Sequence, residues 1–131
     1  MELVDILFVN ETEGEGLTGE TDPDRILEVL SKRCGIVVLT LGTRGAAAMC
    51  VGKRYNCGIV PVDAVDTTGA GDTYTGYFLA GLECTKDLSE VMHFAAAASA
   101  LEVTREGAAP SIPYLYEVLE FLEKAEFTDF R

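Results

Sequence analysis

Apolar residues come in blocks separated by polar and glycine-rich breaks, and the period within each block changes along the chain. Val4–Val9 (VDILFV) and Gly35–Leu41 (GIVVLTL) are short and nearly continuous, the signature of strands buried on both faces. Between them, Asp24–Arg33 places Ile26, Leu27, Val29 and Leu30 on a helical stripe. Thr21 or Asp22 is positioned as its cap and Pro23 at its first turn. A turn at Gly42–Gly45 leads into Ala46–Val51. Gly52 and Lys53 then turn the chain toward Tyr55–Val60, which predicts a hairpin. Pro61–Thr68 reads as a loop. Ala70–Leu82 reads as a helix rich in small and aromatic residues. Leu88–Glu102 is a second helix, whose alanine run Ala95–Ala98 suits burial against a neighbour. Arg105–Pro113 is a Gly/Pro loop, and Tyr114–Ala125 a last amphipathic helix. The order is βαβ, hairpin, then helices, which predicts an α/β fold with a partly parallel central sheet flanked by helices.

A length of 131 residues suffices for one domain with a real core. With 48% hydrophobic and 24% charged residues, the composition is that of an ordinary soluble globular chain. No apolar run approaches the roughly 20 residues of a membrane span. The acidic start, Met1-Glu2-Leu3-Val4-Asp5, lacks the basic region of a signal peptide, so a cytoplasmic location is expected. The formal net charge of −12 repels nucleic acid and anionic lipid, which excludes both as partners. It would repel a nucleotide as well, unless Mg²⁺ and local basic groups intervene. Cys34, Cys50, Cys57 and Cys84 have no metal-site spacing and are expected as free, mostly buried thiols. The single histidine, His93, lies in a helical pattern and is expected to be structural.

Candidate chemistry concentrates at Asp66-Thr67-Thr68-Gly69-Ala70-Gly71-Asp72. Gly69, Ala70 and Gly71 leave backbone N–H groups uncovered at a helix start, where the dipole favours an anion. A carboxylate there opposes the anion unless it takes a proton from an attacking hydroxyl, so Asp72 is the candidate base. The bland alternative is a helix start capped by Thr67 or Thr68. Asn10-Glu11-Thr12-Glu13 follows the first strand. Either it is a helix-start cluster, or Glu13 holds Mg²⁺ while Asn10 donates to phosphate. Thr40-Leu41-Gly42-Thr43-Arg44-Gly45 follows the second strand. Either it is a simple turn, or its glycines let the backbone approach a ligand, with Arg44 or Thr43 meeting phosphate. In open α/β sheets ligands collect beyond the carboxyl ends of strands, so the three segments can line one crevice.

The string Asp66–Tyr77, DTTGAGDTYTGY, closely resembles the C-terminal signature of the ribokinase family of PfkB-type carbohydrate kinases. NETEGEGLTG resembles that family's N-x-x-E segment, and Thr40–Gly45 its T-L-G-x-x-G turn. The resemblance implies ATP-dependent phosphorylation of a sugar hydroxyl, with D-ribose favoured. Nucleoside, fructose phosphate and ketodeoxygluconate kinases are alternatives within the class. Asp72 takes the family's base position, the amides of Gly69 to Asp72 its anion hole, and Glu13 its Mg²⁺ position. The segment Glu102–Ser111 resembles the part that closes the nucleotide site. The family's K⁺ ligands fall on Asp66, Thr68, Glu102, Arg105, Gly107 and Ser111, mostly through backbone carbonyls. Ala96 stands where the family usually has a polar adenine contact. The sugar-binding G-G-K-G-x-N motif and the lid of the family's N-terminal half are absent from these residues. The expectation is therefore a partial ribokinase-like fold, one portion spanning residues 1–131. Either it is a fragment, inactive alone, or it pairs with a complementing chain, and an exposed sheet edge at Val4–Val9 would favour association, including as a homo-oligomer. The rival expectation is a non-catalytic nucleotide-binding or assembly module.

Overall fold

A computed structural model describes residues 6–62, 70–85, 87–104 and 115–128. They form an α/β fold, and the chain divides into two compact units, Met1–Asn56 with Phe130–Arg131, and Cys57–Asp129.

The first unit is built on a four-stranded mixed sheet of order β1-β2-β3-β4, with β1 Ile6–Asn10, β2 Ile36–Thr40, β3 Ala46–Cys50 and β4 Lys53–Cys57. β1 and β2 are parallel, in register from Ile6↔Ile36 to Asn10↔Thr40. Two helices, α1 (Glu11–Thr18) and α2 (Pro23–Ser31), make the crossover between them. α2 begins where Asp22 caps it, its side chain accepting from Asp24 N, with Pro23 in the first turn. Its stripe of Ile26, Leu27 and Leu30 packs on Val37 and Leu39 of β2. β2 returns antiparallel into β3, Thr40 facing Ala46.

Of the two readings of Asn10–Glu13, the helix start is present: a capping box opens α1, although Gly14, Gly16 and Thr18 have poor helix propensity and no apolar stripe runs through it. One expectation, the position of the hairpin, needs correction. The hairpin reverses at Val51–Gly52, both with positive φ (50° and 75°), a geometry that matches strand twist. β4 therefore runs over Lys53–Cys57 rather than Tyr55–Val60.

The second unit contains α3 (Ala70–Cys84), α4 (Leu88–Val103) and α5 (Leu115–Lys124). Asp87 caps α4 through Ser89 N. Ala97 and Ala98 of α4 are buried with Val118 of α5, and Tyr77, Phe94, Phe121 and Leu122 pack around them. The segment after α5 is tied down. Thr128 N donates to Ile59 O at 2.8 Å and Ile59 N to Thr128 Oγ1 at 2.9 Å. A Cβ at Gly58 would lie 1.9 Å from Thr128 O, so this crossing accepts only glycine. His93 is structural here, with Nδ1 2.7 Å from Ser89 O and its ring edge-on to Phe127. The cysteines are free, yet only Cys57 is buried. Cys34 and Cys50 are half-buried and Cys84 is exposed, because it ends α3.

Candidate active site

Parallel pairing decides where the first two motifs go. Asn10 and Thr40 are the last residues of β1 and β2 and lie opposite each other. N-x-x-E and T-L-G-T-R-G therefore leave the sheet at the same carboxyl edge, where α/β sheets bind ligands. Thr40 Oγ1 reaches back to Val9 O at 3.4 Å and links the two strand ends.

Asn10 caps α1 through a reciprocal pair. Its Oδ1 accepts from Glu13 N at 2.8 Å, and Glu13 Oε1 accepts from Asn10 N at 2.9 Å. This is a capping box, so the helix-start alternative holds in geometry. It does not consume the carboxylate, since the box uses Oε1 alone. Glu13 is exposed and lines a hollow of about 460 Å³ with Phe8, Val9, Gly16 and Leu17.

The turn after β2 is a single 3₁₀ turn, Gly42–Arg44. Leu41 N donates to Gly45 O at 2.8 Å and Gly45 N to Gly42 O at 3.1 Å. Gly45 has φ 105° and ψ −137°, a conformation essentially restricted to glycine. Arg44 Nη2 lies 2.5 Å from Glu11 Oε2, so the guanidinium is held over the start of α1. Glu11 is the residue that sequence reading missed. An acid inside N-x-x-E, opposite an arginine in the neighbouring strand's turn, was the available signal. The pair ties Arg44 to the first residue of α1, and both side chains stay substantially exposed.

The third motif belongs to the second unit. Asp66, Thr68 and Gly69 lie outside the described residues, as do Arg105, Gly107 and Ser111. Ala70 opens α3, followed by Gly71 and by Asp72 in the first turn. Gly71 and Asp72 are exposed, and nothing lies within 4 Å of a Cβ built on Gly71. On the same helix Thr73, Tyr74 and Phe78 turn inward. Thr73 and Phe78 are buried. The Tyr74 hydroxyl is buried with no hydrogen-bond partner among the described residues. Burial raises the Tyr74 pKa, with a smaller push from Cys57, and Tyr74 stays protonated. Asp72 is thus the ionisable group at this helix start that faces solvent. Ala96 is half-buried on α4. Glu102, near the end of the same helix, is fully buried.

Among the described residues no group of three His, Cys, Asp or Glu side chains converges on a metal site. A nucleotide's Mg²⁺ is usually held by one or two carboxylates plus phosphate and water. Glu13, with Oε2 outside its capping box, fits that requirement. Among the described residues no helix is long and apolar enough to cross a membrane.

Residues 1–115 match the pfkB family carbohydrate kinase. The chain belongs to this family. It is 40% identical over 131 residues to the ribokinase of Haemophilus influenzae, covering 95% of this chain and 43% of that protein. It is 37% identical to fructokinase-1 of Zea mays, covering 92% of this chain and 40% of that one. The fold matches that of Arabidopsis thaliana ribokinase, solved with ribose and ATP, with a TM-score of 0.83 and 38% identity over 91% of this chain and 41% of that one. A ribokinase II from E. coli, described as putative and solved with ATP and Mg²⁺, gives a TM-score of 0.83 at 29% identity, over 92% of this chain and 39% of that one. The chain thus spans about two-fifths of the length of the relatives it matches.

Proposed function

We propose that this chain carries the nucleotide site and catalytic base of an ATP-dependent sugar kinase, with D-ribose as the favoured acceptor. The observation that carries the reading is the pairing of Asn10 with Thr40, which sets N-x-x-E and T-L-G-T-R-G side by side at one sheet edge. Asp72, exposed in the first turn of α3, accepts the proton of the attacking hydroxyl. The Gly69–Asp72 amides neutralise charge on the transferred group. Arg44, Thr43 and the Thr40–Gly45 backbone hold the nucleotide phosphates, and Asn10 donates to phosphate. Glu13 would hold Mg²⁺, which when bound neutralises phosphate charge. A K⁺ site at Asp66, Thr68, Glu102, Arg105, Gly107 and Ser111 belongs to the same proposal, as does a cytoplasmic location.

Catalysis also needs the sugar hydroxyl held against phosphorus, which can supply ~7–11 kcal/mol of the barrier. The G-G-K-G-x-N motif is not among these 131 residues. The isolated chain therefore binds nucleotide weakly and phosphorylates no sugar at ordinary rates. The test is a chimera in which this chain replaces the matching segment of the H. influenzae ribokinase. Ribose should be phosphorylated, faster in K⁺ than in Na⁺. Asp72→Asn should retain fold and ATP binding and lower turnover by roughly 10²–10⁴. A folded, ATP-binding chimera that phosphorylates no sugar would favour a non-catalytic nucleotide-binding module. Turnover within a few-fold of the parent for Asp72→Asn would remove Asp72 from the mechanism.

A further inference from the structure

A groove of about 610 Å³ opens in the second unit between the end of α3, the first turns of α4 and one face of α5. Its floor is apolar: Gly81, Val91, Phe94, Leu115, Leu119 and Leu122. The helix α5 already has a buried stripe, with Val118, Phe121 and Leu122 against α4. One such stripe suffices to seat a surface helix. Leu115 and Leu119 add a second, one helical turn apart, and they remain 56% and 49% exposed. Single exposed leucines need no explanation. Two on one helix, lining a common groove with Leu122 at i, i+4 and i+7, form a surface of the kind that receives an amphipathic helix.

Charge selects the occupant. Residues 57–129 hold thirteen acidic and three basic side chains, net −10, whereas the other 58 residues hold a net −2. Glu83, Asp87 and Glu90 are exposed at the α3–α4 end, and Glu120 and Glu123 on the solvent side of the α5 leucines. A second copy seated here would set these carboxylates against another unit of the same sign. A cationic partner meets them with opposite charge. We infer that the α3–α4–α5 groove docks a basic amphipathic helix of a partner protein, leucines in the groove and lysine or arginine along its flanks.

The probe is a labelled synthetic helix with leucine at i, i+4 and i+7 and lysine at the flanking positions, titrated with the 131-residue chain by fluorescence anisotropy. Saturable binding that weakens with salt is expected, because exposed charges are screened. Leu119→Lys should weaken it by about tenfold or more, equivalent to ~1.4 kcal/mol. Leu115→Lys is the second variant should the first disturb folding by circular dichroism. Glu120→Lys should weaken binding while leaving the floor intact. Cys84 lies at the rim and is exposed, so bound probe should slow its alkylation without slowing that of Cys34 in the other unit. Three results would each overturn the inference. One is equal binding of a probe with serine for leucine at the same charge, and another is equal binding of a glutamate-flanked probe. The third is a dimer of the chain that Leu119→Lys dissolves, which would make a second copy the occupant.

Discussion

In the first unit Ile26, Leu27, Val37 and Leu39 are buried between a hydrogen-bonded sheet and a helix, with Ala46, Ala47 and Ala48 of β3 buried as well. In the second, helix packs on helix: α4 buries Ala95, Ala97, Ala98 and Ala100 together with Val91 and Met92, and Phe78 of α3 is fully buried. Charge divides as unevenly. Arg44–Glu11, Arg54–Asp24 and Arg25–Glu28 pair acids with bases in the first unit, while the second carries net −10. The difference teaches that the two motif-bearing regions are positioned by different physics. A sheet fixes Asn10, Glu13 and Arg44 through backbone register and ion pairs. Close helix packing fixes the start of α3, and small residues are what allow helix axes to approach.

The comparison breaks most visibly with opposite volume changes. Leu39→Ala removes a fully buried side chain from the sheet core and should cost ~2–5 kcal/mol in urea denaturation. Ala98→Leu adds volume where none is free and should cost ~1–3 kcal/mol, with loss of ordered packing around Val118. If Ala98→Leu is neutral, the second unit is not close-packed on small residues.

Alkaline pH should reach the second unit through Cys57. Burial pushes its thiol up to about 12, from an ordinary 9.0, so the folded state keeps a proton that the unfolded chain releases. Stability is then fully present below about pH 9 and is lost as pH climbs through that window. The urea midpoint should fall on going to alkaline pH, and Cys57→Val should flatten the fall. An unchanged slope in the variant would clear Cys57 of the effect.

Gly45→Ala sharpens the account of the first unit. Its backbone at φ 105° disfavours any side chain, so a loss of ~1–3 kcal/mol is expected. In the chimera, KM for ATP should rise more than kcat falls. A wild-type KM would show that the Thr40–Gly45 turn does not meet the nucleotide.

The smallest contrast is between two helix caps. Asp22→Ala should cost ~1 kcal/mol by orphaning Asp24 N. Asp87→Ala removes an equivalent cap from α4 but also removes one charge from a unit at net −10, so its cost should be smaller. Equal losses in thermal melts would show that the excess charge is fully screened.

Much of this was legible from periodicity. The apolar runs at Val4–Val9 and Gly35–Leu41 predict β1 and β2, and the Ile26–Leu30 stripe predicts α2, because burial on one or both faces leaves a pattern. The cap at Asp22 and the start of α3 at Ala70 were legible from local chemistry as well. The helix α1 was not, because Gly14, Gly16 and Thr18 carry no stripe, and its one signal, N-x-x-E, admits a binding or a capping reading. The hairpin turn was placed one residue late, at Gly52–Lys53 rather than Val51–Gly52, because a valine at positive φ contradicts local preference.

By itself, the sequence determined the family and most element types, and it named candidate residues for phosphoryl chemistry, since these depend on residue kind and near-neighbour spacing. Tertiary structure decided that Asn10 stands opposite Thr40, that Arg44 is tied to Glu11, and that Leu115 and Leu119 face a groove. Each is a contact between residues distant in the chain or a choice of helix face. Strand register, ion pairing and burial settle such contacts only when the whole unit closes.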